Sequence, residues 1–122
     1  MILAILDDLF FSIKIRTAAK TLGTEVYFER APDHVLEAVR AKGPRLVIFD
    51  LDSVKMRPIE AIAAMKADPA LRDVPTMGFV SHVHADVIAA ARAAGINQVL
   101  ARSAFVDQLG SILAPPSNNS AA

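Results

Sequence analysis

The chain has 122 residues, of which 53% are hydrophobic, with thirteen basic residues balanced by thirteen acidic residues and no cysteine. This length is typical of one domain, and the hydrophobic content excludes intrinsic disorder over most of the chain. The zero net charge argues against a general binder of nucleic acid or acidic membranes, while the missing cysteines exclude disulfides, thiolate zinc sites and a cysteine nucleophile.

Regular changes of hydrophobic period predict alternating strands and helices. Short apolar runs predict strands at Ile2–Leu6, Glu25–Phe28, Leu46–Phe49, Thr76–Val80 and Asn97–Ala101. Apolar stripes near a 3.6-residue period predict helices at Phe10–Leu22, at 32–42 between Pro32 and Gly43, at Pro58–Ala67, at Asp86–Ala94, and from a Ser103 cap to about Leu113. The buried stripe of the first helix is expected to include Ile13 and Ile15, with Phe10 and Phe11 forming core and pocket wall.

Five strand–helix repeats indicate parallel strands joined by crossover helices. The expected fold class is α/β, a flavodoxin-like (βα)5 three-layer sandwich whose five-stranded parallel sheet has the order 2-1-3-4-5. Residues 1–114 form this single domain, and the polar tail at 115–122 is predicted to be disordered. No apolar run approaches the about 20 residues that span a bilayer, and no signal peptide is recognisable, so we expect a cytoplasmic protein.

Polar residues follow four of the predicted strands, at the edge where open parallel sheets bind ligands. They are Asp7 and Asp8, Asp50 and Asp52, Ser81, and Arg102. Carboxylates this close repel one another, and their natural partner is a hard divalent cation such as Mg2+. Such a site can receive a phosphoryl group: one aspartate attacks, and the hydroxyl and the cationic side chain bind the remaining oxygens.

In these positions the sequence resembles the receiver domain of bacterial response regulators. The acidic pair closes the first strand, Asp50 closes the third, Ser81 lies near the end of the fourth, and Arg102 closes the fifth. The resemblance implies that Asp50 is the phosphoacceptor and that Ser81 binds the phosphoryl group. It also implies that Asp7, Asp8, Asp50 and the main-chain carbonyl of Asp52 hold Mg2+.

The same resemblance implies that the protein is not an enzyme. At most it would catalyse its own phosphorylation and dephosphorylation at Asp50. The chain would be a stand-alone signalling protein of a two-component phosphorelay, phosphorylated by a histidine kinase or a phosphotransfer protein. Receivers usually meet downstream partners on the face of the fourth helix, fifth strand and fifth helix. Here Ala89, Ala90 and Ala93 are expected to face outward on that side, a surface that suits a partner helix or a second copy of the chain.

Departures from the receiver pattern favour an alternative, a phosphorylation-independent pseudo-receiver that acts as an adaptor. Arg102 and Ser103 replace the usual lysine and proline, and Val99 replaces the usual aromatic residue of the fifth strand. The loop at 53–58 lacks the usual sequence, and either Ser81 or Val80 fills the hydroxyl position. In this interpretation the pocket is structural, or it is closed by an ion pair from Arg102 to Asp50 or Asp8.

Further interpretations concern these residues and their neighbours. The sequence at 47–54 also resembles the nucleophile motif of haloacid-dehalogenase-type phosphatases, which would make Asp50 the nucleophile and Asp52 the general acid. The Asp7–Asp8 pair alone can serve as a helix N-cap.

His82 and His84 suggest a metal clip or a pH-responsive loop, against the plainer interpretation of solvated loop histidines. No glycine-rich phosphate-binding loop occurs, which disfavours a nucleotide site.

Overall fold

The computed structural model describes residues 1–81 and 84–115. Its strands are β1 (Ile2–Ile5), β2 (Val26–Glu29), β3 (Leu46–Asp50), β4 (Thr76–Val80) and β5 (Gln98–Ala101). Its helices are α1 (Leu9–Leu22), α2 (Val35–Lys42, preceded by a 3-10 turn at Pro32–His34), α3 (Pro58–Ala67), α4 (Ala85–Ala94), α5 (Arg102–Asp107) and α6 (Leu109–Leu113). Within this part of the chain, no helix is long and apolar enough to cross a membrane.

The five strands form one parallel sheet in the order β2-β1-β3-β4-β5. This confirms the predicted fold class and strand order. All side chains of β1, β3 and β4 except the partly buried Leu46 are buried because helices cover both faces of the sheet, which explains the near-continuous apolar sequences of these strands. In the register of β3 and β4, Asp50 pairs with Phe79, so the ends of these strands lie side by side.

Two hydrophobic cores lie on opposite faces of the sheet, each between the sheet and one layer of helices. On one face, Val47 and Phe49 pack with residues of α2, α3 and α4. On the other face, Ile48 and Phe79 pack with residues of α1, α5 and α6. In α4, Ala91 is buried, whereas Ala89, Ala90 and Ala93 are exposed as predicted.

Several expectations at helix faces and ends are wrong. Phe10 is 87% exposed and Ile13 is 54% exposed, because α1 turns Phe11 and Ile15 toward the sheet instead. The last helix is interrupted at Gln108, whose ψ of 5° breaks the helical path between α5 and α6. Ser103 lies inside α5 and does not cap it, since α5 already begins at Arg102.

A close approach inside the sheet positions the chain that leaves β3. A Cβ atom on Gly78 of β4 would lie 2.7 Å from the side chain of Leu51 and 2.9 Å from that of Ile96. Glycine therefore leaves the space in which Leu51 packs. Because Leu51 stands between Asp50 and Asp52, this packing contributes to the placement of both carboxylates.

Residues distant in sequence hold the end of α6 against the sheet edge opposite the acidic residues. The hydroxyl of Thr24 donates to the carbonyl oxygen of Leu113. Nη2 of Arg45 donates to the carbonyl oxygens of Ala114 at 2.9 Å and Leu113 at 3.3 Å. These bonds satisfy carbonyls that a helix leaves without partners at its end.

Candidate functional site

The acidic pair after β1 begins α1. Oδ1 of Asp8 accepts a hydrogen bond of 3.0 Å from the Phe11 amide, and the carbonyl oxygen of Asp8 accepts one of 2.7 Å from the Ser12 hydroxyl. Asp8 is therefore a helix N-cap, as the plainer interpretation of the acidic pair predicts. Its second oxygen is directed elsewhere: Oδ2 lies 3.0 Å from Nη2 of Arg102.

Arg102 is the cation of the site, and it binds Asp8. Its Cζ lies 4.1 Å from the centre of the Phe11 ring and 5.7 Å from that of Phe79. Because β3 and β4 stand between β1 and β5, the ion pair bridges the ends of both central strands. The amide of Phe11 and then the Arg102 guanidinium hold the pKa of Asp8 below its usual value.

Asp50 ends the central strand β3 and is the most deeply placed carboxylate at this edge. It is 7% exposed, and its Oδ1 accepts a hydrogen bond of 3.0 Å from the amide of Asp52. Burial raises the pKa of Asp50, and the negative charges of Asp52 and Asp7 raise it further. The Asp52 amide and Arg102 oppose this rise without cancelling it. The position predicted for the phosphoacceptor thus holds a desolvated carboxylate.

Asp7 is tied to the loop after β3 through Ser53. The Ser53 hydroxyl donates to Oδ1 of Asp7 at 2.7 Å and accepts from the Met56 amide at 3.2 Å. Ser53 is buried. From the sequence it was recognised only as part of the atypical loop at 53–58, and no role in the site was predicted for it. Its spacing from Asp50 is the one available signal, because it places a hydroxyl three residues beyond the strand end.

Ser81 bonds to Asp52. Its amide and hydroxyl donate to Oδ2 of Asp52 at 2.6 and 2.7 Å. Nδ1 of His84 lies 3.5 Å from the other oxygen of Asp52, whereas His82 lies outside the described residues. Val80 is buried in the core with Val47 and Phe49, whereas Ser81 is exposed at the edge of the sheet.

This contact opposes a role for Asp52 as a general acid. Burial pushes the pKa of Asp52 up, but the hydrogen bonds from Ser81 and the charge of His84 outweigh burial and leave the pKa below its usual value. A carboxylate that stays ionised has no proton to donate near neutral pH. This contact gives the phosphatase interpretation of the sequence at 47–54 no support.

Among the described residues, no group of three or more acidic or histidine side chains is arranged as a ready metal site. The donor chemistry nevertheless suits Mg2+, which prefers carboxylate and carbonyl oxygens. Hydrogen bonds engage one oxygen each of Asp7 and Asp50, but both oxygens of Asp8. A cation at Oδ2 of Asp8 would share that oxygen with Arg102.

A cavity of about 480 Å3 lies beside the predicted pocket, between the loop after β3 and the start of α4. Its lining includes Asp52, Ser81 and His84 among the polar residues and Ile59 and Val87 among the apolar ones. Asp50 does not line it. Of the six predicted residues, Asp52 and Ser81 line this cavity, whereas Asp7, Asp8, Asp50 and Arg102 do not.

The sequence matches no family profile and no curated protein. Solved structures, in contrast, resemble this fold over nearly the whole chain. A response regulator from Hahella chejuensis has a TM-score of 0.81 at 20% identity, covering 92% of this chain and 90% of its own. The receiver domain of a sensor histidine kinase from Pseudomonas aeruginosa, with a magnesium ion in the active site cleft, has a TM-score of 0.79 at 19% identity, covering 92% of both chains.

A third similar structure is the phosphorylated cyanobacterial phytochrome response regulator RcpA. Its TM-score is 0.73 at 24% identity, and the match covers 92% of this chain and 87% of that protein. All these identities lie at or below 24%, so they establish the fold. The chain has the fold of response regulator receiver domains, as its strand-end residues led us to expect.

Proposed function

We propose that this protein is a receiver-type signalling protein of a two-component phosphorelay, with Asp50 as its phosphoacceptor. The observation that carries the proposal is the placement of Asp50. It is a buried carboxylate at the end of the central strand, under electrostatic influence of Asp7 and Arg102 from strands on either side. An Asp50 oxygen would attack the phosphorus of a phosphohistidine or an acyl phosphate, the bond to the donor would break, and an acyl phosphate would remain on Asp50.

Asp7, Asp8, Asp50 and the main-chain carbonyl of Asp52 are the residues that would hold Mg2+ in this proposal. When bound, the ion offsets negative charge on the transferred phosphoryl group. Arg102 supplies a positive charge at the same edge. Ser81 would bind a phosphoryl oxygen after its hydroxyl leaves Asp52.

Output would pass through protein contacts in the cytoplasm. The proposed partners are a histidine kinase or phosphotransfer protein as phosphoryl donor, and a downstream protein on the face of α4, β5 and α5. Support for this face comes from its small exposed side chains, Ala89, Ala90 and Ala93, which permit close approach of another helix or a second copy. A bulky charge at Ala90 should weaken that contact.

Phosphorylation of Asp50 is tested by intact-mass spectrometry after incubation with acetyl phosphate, with and without Mg2+. We expect a single phosphoryl adduct on the wild-type chain that requires Mg2+ and is absent in Asp50→Asn. Asp73→Asn is the matched control, because Asp73 is an exposed carboxylate in the loop before β4. An adduct that persists in Asp50→Asn, or no adduct under any condition, would contradict the assignment.

The ion pair between Arg102 and Asp8 favours one second candidate, a phosphorylation-independent adaptor. In that role the arginine neutralises the acidic pair permanently and the pocket is structural. Such a protein should take no phosphoryl group, yet its Asp50→Asn variant should bind the partner as tightly as the wild type does. A pull-down with wild type and Asp50→Asn, run beside the mass measurement, distinguishes the two functions.

A further inference from the structure

We propose that Arg102 is an internal counter-cation that competes with a divalent metal ion for Asp8, so that release of this arginine sets the affinity of the acidic pocket for metal. We refer to Arg102, Asp8 and Phe11 together as the arginine latch. The inference rests on the proposed function, since it concerns the metal site of the same pocket. It adds a determinant of metal affinity that the convergence of carboxylates alone does not reveal.

Competition follows from how the two oxygens of Asp8 are used. Oδ1 caps α1 through the Phe11 amide, and giving it up would leave that amide without its partner. Oδ2 is the oxygen left for a cation, and it lies 3.0 Å from Nη2 of Arg102. A metal ion and a guanidinium on the same oxygen would repel each other, so binding of one weakens binding of the other.

An aromatic surface strengthens the hold on Arg102. The guanidinium lies 4.1 Å from the centre of the Phe11 ring, within the range of a cation–π contact. Phe11 packs in turn against Phe79, with ring centres 4.8 Å apart, and Phe79 stacks on Phe105. The arginine therefore rests on a ring that the core holds in place, and both partners of the ion pair are only about one-third exposed.

Two features keep the arginine latch from being permanent. Arg102 is the first residue of α5, where the helix dipole disfavours a positive charge. Its Nε is buried and has no hydrogen-bond acceptor among the described residues. Both features lower the free energy needed to move the guanidinium away, so a divalent cation has a route to Asp8.

The chemical structure of the Arg102 side chain matters as well as its positive charge. A planar guanidinium can stack on Phe11 and donate to Asp8 at once, whereas a lysine ammonium is a hydrated point charge on a flexible stem. Arg102→Lys should therefore bind metal more tightly than the wild type while it keeps the same net charge. Arg102→Gln, which removes the charge, should bind metal more tightly still.

The test is a Mn2+ titration of the full chain, with free Mn2+ counted by electron paramagnetic resonance. Relative to wild type, we expect Arg102→Gln to lower Kd by about tenfold, the scale of losing one half-buried ion pair and cation–π contact. Phe11→Leu keeps the charge and removes the aromatic surface, so it should lower Kd by less. Arg40→Gln removes an arginine from a different ion pair, with Asp68, and should leave Kd unchanged.

The outcomes separate this inference from the proposed function. If wild type binds Mn2+ and both Arg102→Gln and Phe11→Leu bind it equally well, the arginine latch is wrong and the receiver function stands. If no variant binds Mn2+, including Arg102→Gln, the metal site of the proposed function fails and the arginine latch fails with it.

A second readout avoids substitution altogether. In the wild-type chain labelled with 15N, the Arg102 Nε–H signal should shift during a Mg2+ titration in step with the Asp8 amide. An Asp8 shift with an unmoved Arg102 signal would overturn the competition.

Discussion

At the scale of single residues, the buried charge of Asp50 determines whether the free energy of unfolding rises or falls with pH. Burial raises the pKa of Asp50, so the folded chain holds this proton more tightly than the unfolded chain does. Stability therefore falls as pH rises from the unfolded pKa through the folded pKa. Above that window the full cost of the buried charge is present, and below it the cost is absent.

Asp50→Asn removes this charge and can keep the hydrogen bond from the Asp52 amide. We expect it to raise the free energy of unfolding at pH 7 by about 1 kcal/mol, and Tm by about 4 °C. The gain should vanish near about pH 3, where Asp50 is protonated in both states. Thermal melts across pH check this, with Asp73→Asn as control. A gain that is the same at all pH values would contradict the charge as its cause.

The candidate residues could be found from the sequence, but their pairing could not. Asp50 and Arg102 are recognisable because parallel strands bring their carboxyl ends to one edge. Which acid Arg102 binds depends on how its long side chain lies across two strand ends and on the Phe11 ring beneath it. The bond from Ser81 to Asp52 was likewise not predictable. Ser81 lies beyond the end of β4, where side chains no longer alternate between the two faces of the sheet.

At the scale of elements, the contact between β4 and the chain leaving β3 is the place where one methyl group should matter. Gly78→Ala would force Leu51 and Ile96 to move, because the new Cβ would lie within 3.0 Å of both side chains. We expect a loss of about 1–3 kcal/mol in unfolding free energy. Since Leu51 stands between Asp50 and Asp52, the phosphorylation rate with acetyl phosphate should also fall.

Gly110→Ala is the matched control for this substitution. Gly110 lies in α6, and apart from its chain neighbours and the backbone of its own helix nothing would stand within 4 Å of its Cβ. Alanine favours helix over glycine, so this change should stabilise the chain by about 0.5–1 kcal/mol. Urea unfolding of the two variants should therefore move in opposite directions, and equal losses would show that the close approach of Leu51 is not the cause.

Elements differ in how well their sequences reveal them. The central strands were predictable because a strand covered on both faces must be apolar along its length. The side of α1 that faces the sheet was not, since Leu9, Phe10 and Ile13 are apolar yet exposed, and only packing of Phe11 and Ile15 decides the orientation. The break at Gln108 leaves no glycine or proline signal at that residue.

At the scale of the whole molecule, Arg45 joins the start of β3 to the last helix. It donates to the carbonyl oxygens of Leu113 and Ala114, bonds that an apolar side chain cannot replace. Arg45→Met should reduce the unfolding free energy by about 1–2 kcal/mol and increase hydrogen exchange in α6. Arg40→Gln breaks only an exposed ion pair and should cost less than about 1 kcal/mol. Equal effects of the two substitutions would show that the Arg45 hydrogen bonds do not stabilise α6.

The arginine latch has a consequence for how related sequences should vary. Arg102 and Phe11 are far apart in the chain but act on one another through a ring and a guanidinium, so neither has its full effect alone. Where a related chain carries lysine at the position of Arg102, selection to keep an aromatic ring at the position of Phe11 should relax. The two positions should therefore co-vary, while the aspartate that caps α1 should persist in both groups because the helix needs it in either case.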